Sequence, residues 1–332
     1  MESLELNNKI LISKWNPNDY CKENQVFKIP QVKFKGYRAS ENKHSMSLVD
    51  EIESWRSRWQ LDKKIAENGW RFAVVSFTDS DKQQLEWLIK IFEWLFITDD
   101  QLLEPLGYVS ECKGINGMSI DDYIENSFTR DGKHDRYSTI LWEILNEMLE
   151  HGCLEDSLNE MLEEYKKWMH SIIKKTKTLN SETTFEDYYH FRELDSSSIQ
   201  AIYTYMATTR VEPLSMEIVN SKLMKDFIYS YAISNYLVND LYSFNKEIPD
   251  SSLSNYIKIL TLNNNSIEKS INIVINIINE HFERMMVIHD QLLSQYKNNN
   301  SLKEFVHGIV KITVGNLKFC QTTPRYSVHL EE

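Results

Sequence analysis

Residues 87–104 read WLIKIFEWLFITDDQLLE, an apolar, aromatic-rich run that ends abruptly in Asp99, Asp100 and Glu104, with Pro105 next in line. No alternation of apolar and polar residues breaks it, and its length suits a buried helix better than a strand. Proline biases the residue before it away from helical angles, so the spacing predicts that Glu104 closes the helix. The negative end of the helix macrodipole repels anions, so carboxylates gathered there cost stability unless a cation compensates them. The arrangement is odd for structure and reasonable for a metal site.

The rest of the chain reads the same way. Glycine is absent between Gly152 and Gly308. Tyr137, Ile140, Leu141, Ile144, Leu145, Met148 and Leu149 fall on one helical face, and a second long amphipathic pattern runs from 267 to 296. Further helical patterns cover 46–67, 81–103, 155–176, 184–194, 198–208, 217–247 and 300–320. Connections are short, and no composition shift or fixed-period repeat marks a boundary. The expectation is one all-α domain spanning residues 1–332, a helical bundle.

Composition narrows the function. The chain of 332 residues carries a formal charge of −12, a field that repels nucleic-acid backbones and anionic lipid. A diphosphate can still bind such a protein if divalent cations bridge its oxygens to acidic side chains. Cys21, Cys112, Cys153 and Cys320 lie far apart with no CxxC pair, which argues against zinc and against a disulfide framework. The start, MESLELNNKILISKW, lacks a basic lead and an apolar stretch of signal-peptide length, and no run is long enough for a membrane span. A soluble cytoplasmic protein is expected. P-loop, dinucleotide-binding glycine and HExxH patterns are absent.

A second oxygen-rich segment, LVNDLYSFNKEIP at 237–249, spaces Asn239, Ser243 and Glu247 four apart. Such positions share one helix face, so an amide oxygen, a hydroxyl and a carboxylate form a stripe about two turns long. Magnesium prefers such hard oxygen donors and takes its remaining sites from water and substrate phosphates. A lone DDxxxE is better read as a solvated helix end; the rarer second pattern in the same all-α chain reverses that preference and favours a joint site. Asp121 to Glu125, DDYIE, satisfies a looser acidic motif. Its glycine-containing, polar flanks mark a surface turn or short helix.

With both motifs in hand, the sequence resembles the microbial-type class I terpene synthases, including those of social amoebae. DDQLLE and NDLYSFNKE match that family's two metal motifs, which face each other across a helical bundle with a central apolar cavity. The resemblance implies Asp99, Asp100, Glu104, Asn239, Ser243 and Glu247 as metal ligands or their close support, with three Mg2+ ions when diphosphate is bound. It also implies Arg192 in FRELDSS as the diphosphate-sensing arginine, Asp195 as the linker and Ser196 as the helix-break effector. The local chemistry agrees, because Asp195, Ser196, Ser197 and Ser198 compete for backbone hydrogen bonds and favour interruption of a helix. Lys246 takes the basic place before the final glutamate, and Arg325 with Tyr326 matches the pair that hydrogen-bonds diphosphate. Phe319 stands where tryptophan is frequent, and Ser196 where glycine is.

The resemblance implies ionisation of an acyclic prenyl diphosphate, with farnesyl diphosphate expected from family frequency, and closure of the carbocation to a terpene. Homodimers are common in the family. Phe92 and Phe96, two turns and one turn before Asp99, and Phe319 are the aromatic candidates for stabilising cationic charge in the pocket. Chain-elongating prenyltransferases share fold and metal chemistry but carry two DDxxD motifs, and a non-catalytic helical scaffold with solvated acidic ends is the rival from another class.

Overall fold

The structure is a computed structural model and describes residues 15–23, 25–107, 115, 117–174 and 179–326. The N-terminal stretch through residue 14, Cys112 and residues 175–176 of one expected helix lie outside the described residues. Among those described, helix dominates and no strand forms; the one isolated bridge joins Ile115 to Met118. The elements in chain order are α1 (Val49–Trp59), α2 (Lys63–Ser76), α3 (Lys82–Thr98), α4 (Glu104–Gly107), α5 (Ile120–Ser127), α6 (Arg136–Glu150) and α7 (Glu155–Lys174). They continue with α8 (Phe185–Asp195), α9 (Ser198–Thr208), α10 (Met216–Asn220), α11 (Lys222–Glu247), α12 (Tyr256–Leu262), α13 (Ile267–Gln295) and α14 (Asn300–Thr322). A 3-10 turn, Pro324–Tyr326, ends the described chain. Among the described residues no helix is long and apolar enough to cross a membrane.

Side-chain caps set most of the boundaries. Asp81 begins α3 by accepting from the Gln84 N–H, Thr184 and Asp187 form a reciprocal capping box at α8, and Ser266 accepts from the Lys269 N–H at α13. Each cap satisfies N–H groups that lack an intrahelical partner. Caps also explain where the expected helices differ from those found. The pattern over 46–67 is two helices, because Gln60 turns left-handed (φ 49°) and Asp62 restarts the chain by accepting from Lys64 and Ile65. The pattern over 217–247 divides at Ser221, which caps α11 through the Met224 N–H. Helix α12 has seven residues and three β-branched ones, too short and too strand-like in composition for periodicity to reveal.

Packing places the two oxygen-rich segments on neighbouring walls. Helix α2 lies along α3 and is backed by α14; α14 and α13 both pack on α11; α9 bridges α3 and α7. Two glycines allow the closest crossings. A Cβ at Gly69 would stand 2.5 Å from the Glu93 Cα, and one at Gly315 would stand 2.5 Å from the Val75 carbonyl oxygen. Both helix pairs therefore meet backbone to backbone, which draws α3, α2 and α14 together round the same interior. Fully buried Trp87, Trp168, Tyr165, Phe227 and Phe244 fill the core around them.

Candidate active site

Helix α3 does not stop at the acids, contrary to the expectation from Pro105. It widens into a π-turn over Asp99–Leu103, in which the Glu104 N–H bonds to the Asp99 carbonyl, and then runs on as α4. Proline offers no N–H to an α-type ladder, so the ladder must be reset just there. Single π-turns inside α-helices are uncommon and concentrate at functional sites. The wider turn carries residue i+5 back toward the face of residue i, and the ligand oxygens of Asp99, Asp100 and Glu104 lie within 4.8 Å of one another. The cost of this cluster comes less from a helix end than from burial and mutual repulsion. Burial first, then the charges of Glu104, Asp195 and Asp100, push the Asp99 carboxyl well above the usual range. Glu104 is raised for the same two reasons.

The facing stripe is on α11. Asn239 donates from Nδ2 to the Tyr326 hydroxyl at 2.7 Å and accepts at Oδ1 from Arg192 at 3.3 Å. Glu247 accepts from Asn255 Nδ2 at 2.9 Å. Ser243 is buried and its Oγ has no hydrogen-bond partner among the described residues. Lys246 is exposed at the mouth, close enough that its charge favours ionisation of Glu104 on the opposite wall.

The predicted interruption after Asp195 is present. Helix α8 ends there, Ser196 caps it, Ser197 turns left-handed at φ 56°, and α9 starts at Ser198. Ser196 Oγ donates to Ser198 Oγ at 2.9 Å, the local side-chain bonding that competes with helix. Arg192 is 7% exposed and forms the centre of a network. Its Nη1 donates to Asp195 at 2.8 Å, and its Nη2 to Asp240 at 3.0 Å as well as to Asn239.

Asp240, which neither motif singles out, anchors this network. It is 1% exposed and accepts, besides Arg192, the Tyr188 hydroxyl at 2.6 Å and the Tyr256 N–H at 3.1 Å. Burial raises its carboxyl to about 6 against the pull of Arg192, while the same pairing holds Arg192 firmly charged. We take the pair as ionised at neutral pH, since three donors converge on the carboxylate.

The Pro324–Tyr326 turn covers the first motif. Arg325 grips Asp100 through both guanidinium nitrogens, each at 2.6 Å, and sits 5.4 Å from the centre of the Phe96 ring. Below lies a cavity of about 450 Å3, within the range of small-molecule sites. Asp99, Glu104, Arg192, Asp195, Ser196, Asn239, Lys246, Glu247, Arg325 and Tyr326 border it; Asp100 and Ser243 do not. Phe92, Phe96 and Phe319 all line it. Phe72 completes their cluster, 4.7 Å from Phe92 and 5.7 Å from Phe319 between ring centres. Phe72 lies on α2 beyond the helical pattern expected over 46–67, so periodicity assigns it no face. The looser acidic motif stands apart from the cavity on the short helix α5: Asp122 accepts from Ser119, and Glu125 pairs with Lys166 at 2.9 Å.

Comparison with known proteins finds chains of similar sequence and fold. Residues 90–284 match the family model described as terpene synthase family 2, C-terminal metal binding. Terpene synthase 6 of Dictyostelium purpureum is 29% identical over 94% of this chain and 98% of its own length. Germacradien-4-ol synthase from Streptomyces citricolor superposes with a TM-score of 0.71 at 12% identity, over 89% of this chain and 99% of that one. The 2-methylisoborneol synthase of Streptomyces coelicolor A3(2), solved with Mg2+ and 2-fluoroneryl diphosphate, gives 0.72 at 14% identity, over 91% and 99%.

Proposed function

The chain belongs to the terpene synthases of family 2, and from that premise we propose that it is a magnesium-dependent cyclase acting on an acyclic prenyl diphosphate, farnesyl diphosphate first. One observation carries the reading. An acidic π-turn and an oxygen-bearing helix stripe border the mouth of one cavity, with Arg192, Arg325 and Tyr326 between them and aromatic rings below.

The donors suit magnesium. Asp99, Asp100, Glu104, Asn239, Ser243 and Glu247 supply only oxygen, the ligand type that hard divalent cations prefer. The unpartnered Ser243 Oγ is a buried acceptor that a cation would satisfy. These six side chains would hold the ions, three being expected once diphosphate is present. Bound there, magnesium would neutralise charge building on the departing diphosphate.

The protein's own groups divide the remaining work. Arg192, Lys246, Arg325 and the Tyr326 hydroxyl are donors placed to hold the diphosphate at the mouth, and fixed donors need no reorganisation as charge develops. Arg325 must then relax its grip on Asp100, so substrate entry and assembly of the acidic cluster are coupled through one ion pair. Asp195 ties Arg192 to the Ser196–Ser197 break, so a shift of the guanidinium reaches the cavity wall directly. Phe72, Phe92, Phe96 and Phe319 offer ring faces that stabilise a desolvated cation by about 2 kcal/mol each, and the Pro324–Tyr326 turn keeps bulk water out.

Incubation with geranyl, farnesyl and geranylgeranyl diphosphates and Mg2+ tests the reading, with diphosphate release and volatiles measured together. Release with a volatile terpene is expected. A longer diphosphate would mark chain elongation, and no turnover of any substrate would overturn the proposal. Asp99→Ala and Asn239→Ala should each abolish release while the far-ultraviolet helical signal is retained.

A further inference from the structure

One wall of the cavity is not hydrocarbon-like. Asn235 stands one helical turn before Asn239 on α11, about 6 Å deeper along the helix axis. It is 4% exposed and lines the cavity. Its side-chain N–H groups are committed to the protein, donating to the Tyr231 carbonyl at 2.8 Å and to Thr313 Oγ1 at 3.3 Å. Among the described residues its Oδ1 receives no hydrogen bond, while the residue itself lines the cavity. Beside it Asn316, also in the wall, donates one Nδ2 hydrogen to the Asn235 carbonyl at 3.0 Å and keeps a second. Tyr236, a third lining residue, is buried with its hydroxyl unpartnered.

An amide oxygen left without a donor on a side chain only 4% exposed is costly, and a leucine of similar size would avoid the cost altogether. Water relieves it where two to four polar partners converge. Here an acceptor and a donor come from helices α11 and α14, linked by their own hydrogen bond, with the Tyr236 hydroxyl on the same wall.

We propose that Asn235 and Asn316 hold one water molecule in the cavity through the reaction and that the product is a terpene alcohol; this rests on the reading above that the cavity ionises a prenyl diphosphate. A lone pair on the water oxygen forms the new C–O bond at the cationic carbon. The oxonium formed loses one proton, and the departed diphosphate is the base that accepts it. One water is consumed, and no oxidation or reduction occurs.

The test is turnover of geranyl, farnesyl and geranylgeranyl diphosphates in water enriched in 18O, with diphosphate release and product masses read in the same reaction. Wild-type protein should give a principal volatile carrying one 18O. In Asn235→Leu and in Asn316→Leu the ratio of alcohol to hydrocarbon should fall about tenfold, the loss expected when the attacking water forfeits one hydrogen bond. The ratio is unaffected by a general loss of turnover, and the wild-type labelling stands without either variant. Diphosphate release accompanied only by hydrocarbon, or an alcohol ratio unmoved in both variants, overturns the proposal and leaves the cyclase reading intact. No release from any of the three substrates overturns both.

Discussion

Replacing Asp240 with alanine should damage the protein twice, once in its stability and once in its chemistry. The carboxylate is 1% exposed, and its removal leaves the buried Arg192 guanidinium with Asp195 as its one remaining carboxylate. It also strands the Tyr256 N–H, whereas Tyr188 can still donate to the Ser254 carbonyl at 3.0 Å. Breaking one side of a buried ion pair costs about 3–5 kcal/mol. At ~2.1 cal/mol/K of unfolding entropy per residue, a chain of 332 residues melts with ~0.7 kcal/mol/K, so Tm should drop by roughly 4–7 °C. Differential scanning calorimetry of the unliganded protein reads this directly. Asp240→Asn keeps the shape and should lose about half as much, because its amide oxygen in the Oδ2 place still meets two of the three donors, Tyr188 and Tyr256.

The chemical consequence follows from the same contacts. Arg192 reaches Asn239 from the nitrogen that Asp240 holds, so releasing that nitrogen misplaces both the arginine and the first residue of the second motif. A displacement near 1 Å at such a site can cost about a hundredfold in kcat/KM. Calorimetry showing Asp240→Ala within about 1 °C of wild type would refute the energetic argument. A lowered Tm with unchanged kcat/KM would refute the positional one and leave Asp240 a purely structural acid.

Asp99 holds its proton more tightly than a free carboxyl because of burial and its acidic neighbours; the proton must leave when a cation binds, so magnesium affinity should rise with pH. Titration calorimetry in two buffers of different ionisation heat would report that proton release, and identical heats would count against it. Arg325→Met forfeits both bonds to Asp100 and the contact with Phe96; diphosphate release at saturating Mg2+ should fall by about a hundredfold, and a wild-type rate would exclude Arg325 from the chemistry. Gly69→Ala drives a methyl into the backbone of Glu93 and should cost on the order of 1–3 kcal/mol, visible as a lower urea midpoint with an unchanged slope; an unmoved midpoint would mean that α2 and α3 can separate freely.

The sequence was most informative where the geometry is local. Asn239, Ser243 and Glu247 share a face because they are four apart, and no partner is needed to see it. The break at Ser196 and Ser197 follows from serine side chains that bond to neighbours two residues away. Helix boundaries at Asp62 and Ser221 were hidden inside longer apolar patterns, although both are ordinary capping residues. In each case periodicity continued across a cap that interrupts the backbone without interrupting the face.

The π-turn at Asp99–Leu103 and the role of Asp240 were illegible for a different reason: each depends on what the rest of the fold supplies. Pro105 shows that the α-ladder must fail near Glu104, but not whether the chain then stops or widens; continuation requires the burial of Leu103 and the contact of α4 with α7. Asp240 sits one residue past Asn239, turned off the stripe by roughly 100°, and looks like spare charge between two ligands. Its meaning comes from Arg192, 48 positions earlier, and from Tyr188 on the same helix as that arginine. A motif read along one helix names the groups that face the substrate. The groups that fix those in place face the neighbouring helix, and their pattern appears only when the two helices are side by side.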